Sequence, residues 1–152
     1  MPTSLLDMPV RDAMSSSLAT VDQDVAIDVA IELMHQRRIR RLPVVGGSAQ
    51  QLVGMVTLDD AQKAMPADVP FYGEGQAERA EIPTVRRAMS GRVVTVGADD
   101  PVALAAQMMV RHRVGALPVL EHGAMVGIIT ESDIFKLVAR GLPPLQQASD
   151  FV

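Results

Sequence analysis

No cysteine occurs in the 152-residue chain, which excludes disulfides, thiolate metal sites and cysteine nucleophiles. Tryptophan is also absent, and three phenylalanines and one tyrosine are the only aromatic residues. A core must therefore be built from Val, Ile, Leu, Met and Ala, within a composition that is 48% hydrophobic. No apolar run is long: residues 52–56 and 125–129 fall far short of the ~20 that span a bilayer. Residues 1–10 have neither the charged start nor the apolar stretch of a secretory signal. Positive charge is not in excess either. Fourteen basic residues against eighteen acidic ones leave a net charge of −4, which gives no general attraction to nucleic acid or to an anionic membrane. The expectation is a soluble, cytoplasmic protein with no nucleic-acid or membrane partner, in which any anion site is a local arginine cluster.

Catalytic signatures are missing too. There is no P-loop, no GxGxxG after a first strand and no HExxH helix. The three histidines, His35, His112 and His122, have no metal-type spacing, and no acid–base or nucleophile constellation is visible. The ten methionines include Met34, Met108 and Met109 at core-type positions, where packing accounts for them. Neither an enzyme nor a metal protein is expected, and no cofactor is required.

What the chain does have is an internal repeat, the feature that decides a fold when it is present. The stretch from Val10 to Ser15 (VRDAMS) recurs from Val85 to Ser90 (VRRAMS), at an offset of 75. Thr20-Val21 recurs as Thr95-Val96, and Leu42-Pro43-Val44 as Leu117-Pro118-Val119. Over residues 10–45 against 85–120, fourteen of thirty-six positions are identical. Beyond Val45 the offset falls to 73, because Gly54 matches Gly127 and Thr57 matches Thr130. The two extra residues sit in the Gly-rich stretch 46–51, a loop, where length changes cost little.

Each repeat reads as a strand, a helix, a two-strand hairpin and a closing helix. Residues 18–21 and 93–96 are β-branched-rich strands, and Asp24 and Asp99 are candidate N-caps for the helices that follow. Ile27, Ala30, Ile31 and Met34 fall at i, i+3, i+4 and i+7, and Val102, Ala105, Ala106 and Met109 repeat the stripe, so both helices should bury one face. Residues 42–45 and 52–56 read as a buried hairpin. The closing helices should stop at Pro66 and at Gly141. One repeat of about sixty residues is marginal alone, so two copies should share burial. The divisions are a tip at 1–9, a first motif at 10–65, a linker at 66–84, a second motif at 85–141 and a tail at 142–152. Within the linker Phe71-Tyr72 is either a packed latch or exposed.

The repeat resembles the cystathionine-β-synthase (CBS) motif. The likeness rests on a short helix ending in Met-Ser, a Thr-Val strand, an apolar helix, a Leu-Pro-Val strand and a Gly-x-x-Thr-x-x-Asp segment. That last element is Gly54–Thr57–Asp60 in one copy and Gly127–Thr130–Asp133 in the other. The resemblance implies an α/β (α+β) fold: two pseudo-twofold-related β-α-β-β-α motifs packed through their sheets into one disc, a Bateman module. It further implies a regulatory module, commonly a homodimer, that binds AMP, ADP, ATP or S-adenosylmethionine in the cleft between its motifs and signals to a protein partner. The alternative is a structural dimerisation module with empty clefts.

By the same resemblance Asp133 and Asp60 accept ribose hydroxyls, assisted by Thr130 and Thr57. The same residues also fit helix capping, since Ser/Thr followed three residues later by an acid is close to a capping box. Arg40 and Arg41, in the dense cluster 37–41, resemble a basic pair that grips phosphates in the family, and guanidinium groups suit bidentate phosphate contact. A solvated helix end explains them as well. Their counterparts are Gly115 and Ala116, which with Gly127, Ile128 and Val94 would form an adenine pocket. Ser15 and Ser90 are either phosphate contacts or ends of the short helices. Gly54 and Gly127 lie inside strands, where glycine marks close approach of a ligand or of other protein. The better-equipped site is expected to combine Asp133, Thr130, Ser90 and Ala116 with Arg40 and Arg41, the other to hold Asp60, Thr57 and Ser15.

Overall fold

Two apolar hairpins organise the chain. Each collects one parallel strand and its own helices into a separate compact unit in this computed structural model, which describes residues 4–66 and 82–142. The units cut the chain differently from the repeats. One is the uninterrupted stretch Leu18–Val93; the other joins Met1–Ser17 to Val94–Val152. We call them the contiguous and the split unit.

In the contiguous unit β1 (Val21–Asp22), β2 (Arg41–Gly46) and β3 (Gln51–Thr57) form a sheet in the order β1-β2-β3. β1 runs parallel to β2, and β2 antiparallel to β3, with Arg41 opposite Thr57 and Val44 opposite Gly54. Helix α1 (Ile27–Arg37) buries Ile27, Ala30 and Met34 against Leu42, Val44 and Val56. The closing helix α2 (Leu58–Ala64) adds Ala61, and the short α3 (Val85–Ala88) adds Val85, which is fully buried. The split unit repeats this plan with β4 (Val96–Gly97), α4 (Val102–His112), β5 (Ala116–Glu121), β6 (Ala124–Thr130) and α5 (Glu131–Arg140). Its core joins Val102, Ala105 and Met109 of α4 to Leu117, Val119, Ile129 and Leu137. Val10, from the other end of the chain, completes it.

The apolar stripes and the hairpins stand where the sequence places them. The β5–β6 turn is His122-Gly123, with φ of 51° and 79°, the double left-handed geometry that lets a two-residue turn follow the twist of its strands. Two details differ. The first strands are shorter than 18–21 and 93–96, because only Val21-Asp22 and Val96-Gly97 find partners on β2 and β5. Asp24 and Asp99 do not cap helices. The N-cap positions are Ala26 and Pro101, and the first helical N–H groups instead donate to backbone: Ile27 to the Pro83 carbonyl at 2.9 Å and Val102 to that of Met8 at 2.8 Å. The freed aspartates bind arginines, Asp24 with Arg86 at 2.7 Å and Asp99 with Arg11 at 2.6 Å. Phe71-Tyr72 and all but the first residue of the tail lie outside the described residues.

Candidate functional site

In each unit the second hairpin strand ends in a threonine that starts the closing helix, and a Met-Ser segment crosses that strand just before its end. In the split unit Ser15 forms an antiparallel bridge with Ile128, its N–H donating to the Ile128 carbonyl at 2.9 Å and its carbonyl accepting from Ile128 at 3.0 Å. Ser90 does the same with Met55 in the contiguous unit, at 2.8 and 3.0 Å. The crossing explains both strand glycines. A Cβ on Gly54 would lie 2.7 Å from Met89 Sδ and 2.8 Å from the Ser90 carbonyl oxygen. One on Gly127 would collide with Met14 Sδ and sit 2.8 Å from the Ser15 oxygen. Gly127 is therefore small to admit protein backbone. Val94 packs on the split-unit core, so it too has a structural employment.

Within one unit Ser15 accompanies Thr130 and Asp133, while Ser90 accompanies Thr57 and Asp60. A repeat read along the sequence assigns each Met-Ser segment to the strands that follow it, whereas the fold lends it to the other repeat's hairpin. Both serines are exposed, and their hydroxyls make no hydrogen bond among the described residues.

The two Thr–Asp pairs differ. Asp133 completes a capping box on α5: its Oδ2 accepts from the Thr130 N–H at 2.8 Å and from Thr130 Oγ1 at 3.0 Å, and its own N–H donates to Thr130 Oγ1 at 3.4 Å. Its Oδ1 has no partner among the described residues. At α2 only half the arrangement exists, the Asp60 N–H donating to Thr57 Oγ1 at 3.1 Å, and Asp60 is exposed. Capping is thus real in both copies, and in the second it leaves one carboxylate oxygen open.

Across the hairpin from each threonine stands the residue pair that separates the copies. Arg41 faces Thr57, and the Arg40 carbonyl accepts from the Leu58 N–H at 2.7 Å. Ala116 faces Thr130, and the Gly115 carbonyl accepts from the Glu131 N–H at 3.0 Å. Arg40 is exposed and Arg41 half-buried; neither forms an ion pair among the described residues. Arg11 behaves otherwise. It is held by Asp99 and, at 3.2 Å, by Glu121, and these hydrogen bonds, Asp99 foremost, raise its pKa above the ordinary arginine value. The ion pairs Arg11–Asp99 and Arg86–Asp24 are exchanged between the repeats. The sequence carries their signal, since Arg and Asp both recur at the offset of 75.

The family model for the CBS domain matches residues 10–67 and again 85–140. The chain belongs to the CBS domain family. A CBS domain-containing protein of Dictyostelium discoideum is 35% identical over 144 residues, covering 92% of this chain and 97% of that one. A homoserine O-acetyltransferase of Methanococcoides burtonii is 32% identical over 85% of this chain, which spans only 24% of that enzyme. Among solved structures, a CBS domain pair in complex with 5′-methylthioadenosine and S-adenosyl-L-methionine superposes with a TM-score of 0.72. It is 26% identical, covering 89% of this chain and 98% of that chain. This CBS pair has no described helix long and apolar enough to cross a membrane.

Proposed function

We propose that this CBS pair is a regulatory module that binds an adenosine-containing ligand, works as a homodimer and passes its occupancy to a partner protein. The observation that carries the reading is the related CBS domain pair that binds 5′-methylthioadenosine and S-adenosylmethionine. The residues of this chain suit such a ligand. The open Oδ1 of Asp133 and the exposed carboxylate of Asp60 are acceptors for ribose hydroxyls, beside Thr130 and Thr57. Arg40 and Arg41, with Ser90 and Ser15, offer donors for phosphate. Ala116, Gly115 and Ile128 offer small or apolar surface for adenine. Control of a partner then requires that the ligand prefer one of two conformations, since equal affinity shifts nothing. In the Methanococcoides relative the matching stretch is 24% of an acetyltransferase, an arrangement suited to regulation within one chain.

The test is a thermal-shift panel of AMP, ADP, ATP, S-adenosylmethionine and 5′-methylthioadenosine. A ligand at one hundred times its Kd adds about 2.7 kcal/mol, or roughly 5–10 °C in Tm for a chain of this size. No shift with any of them at millimolar concentration would sink the reading. The alternative, a dimerisation module with empty clefts, would then be favoured by the exposed Phe135 and Val138 on α5.

A further inference from the structure

Resting on that adenosyl-binding reading, we infer that the two units take adenosyl ligands of opposite charge. The contiguous unit takes a phosphorylated, anionic one, and the split unit an uncharged thioether or a cationic sulfonium. The argument starts from the identity of the two frames. Ser90 bridges Met55 two residues before Thr57, and Ser15 bridges Ile128 two residues before Thr130. Arg41 occupies the register position of Ala116, and Arg40 that of Gly115, down to the carbonyl that accepts from the first residue of the closing helix. Backbone positions therefore match, and the side chains alone set what each frame attracts.

Those side chains have opposite sign. Around Thr57 stand two arginines and one carboxylate, Asp60; the neighbouring Asp59 is already neutralised by Lys63 at 2.8 Å. Around Thr130 stand two carboxylates, Glu131 and Asp133, against one cation, Lys136 at the position of Lys63, with glycine and a buried alanine in place of the arginines. The helix ends before these positions do not undo the contrast, because Arg113 stands where Arg38 does, with φ of 54° and 55°. Elsewhere in the described residues Arg11 and Arg86 are committed to aspartates, whereas Arg40 and Arg41 keep their charge unpaired. A phosphate gains charge-assisted contacts in the first frame and faces the carboxylates of Glu131 and Asp133, without the arginine pair, in the second. A sulfonium finds the reverse.

Calorimetry on the whole chain tests this. In the wild type, ADP titrated into protein saturated with S-adenosylmethionine should bind as it does to free protein, because the ligands occupy different units. Arg40→Gln/Arg41→Gln should weaken ADP at least tenfold and leave S-adenosylmethionine and 5′-methylthioadenosine within twofold. Arg40→Lys/Arg41→Lys, which retains charge, should recover part of the ADP affinity. Asp133→Asn, which keeps an acceptor for the cap, should weaken the two thioadenosyl ligands tenfold and spare ADP. Competition between ADP and S-adenosylmethionine in the wild type would overturn the inference without involving any variant. So would parallel loss of both ligands in either variant, or wild-type binding of one class only; each leaves the adenosyl reading standing. Wild-type protein that binds none of the ligands would remove that reading and this inference together.

Discussion

Gly54 and Gly127 show how one missing methyl group can decide a local architecture. The strand bearing each is crossed by a Met-Ser segment whose carbonyl oxygen would lie 2.8 Å from a Cβ, closer than such contacts occur without movement. The neighbour is backbone held by two hydrogen bonds, so it cannot swing aside as a flexible side chain would. Gly127→Ala should therefore destabilise the protein by about 1–3 kcal/mol, the usual cost of overfilling a packed site. Urea denaturation should show this as a lower midpoint at unchanged slope. An unchanged midpoint would mean that the crossing segment is loosely held. At this scale the sequence was only half legible. Glycine inside a strand announces a close approach, but composition cannot distinguish a ligand from a second piece of chain. The Thr–Asp spacing was similarly double in meaning, and Asp133 proves to cap its helix while keeping one oxygen open.

The elements were read more securely, because periodicity reports on many residues together. The buried faces of α1 and α4 and the two hairpins all fall where apolar spacing places them. Helix starts were misjudged at Asp24 and Asp99, since local rules look for a side-chain cap, and here distant backbone carbonyls supply the acceptors. The helix ends hold a further lesson. α1 and α4 both stop at an arginine in the left-handed region, Arg38 and Arg113, where glycine is the usual residue. Arg113→Gly should stabilise by about 0.5–1 kcal/mol, the left-handed penalty less the greater unfolded-state freedom of glycine. A thermal midpoint that falls in the variant would show that the arginine side chain contributes more than its backbone costs.

For the molecule as a whole, the exposed apolar residues point to a covered face. The short helical turns at Val10 and Val85 do not supply it, because both valines are fully buried inside their own units. On α5, by contrast, Phe135 remains 67% exposed and Val138 50%. Large exposed apolar side chains in one stripe usually mark an interface, and closed twofold pairing is the commonest way to cover one. Sedimentation at micromolar concentration should give about twice 16.3 kDa, and Phe135→Glu should return the species to a single chain; a wild-type monomer would reject the pairing. The division into units has a consequence for how this chain is made. The contiguous unit, Leu18–Val93, has every one of its strands and helices before residue 94 is added. It can fold on the ribosome while the remainder is still being translated, as domains emerging early generally do. Residues 4–17 are different: they are synthesised before any of it, yet their place in the split unit does not exist until β6 has appeared. This segment, made before the contiguous unit, is thus seated after it. Protease protection of stalled nascent chains should appear for residues 18–93 well before it appears for the segment ahead of them, and simultaneous protection would contradict this order.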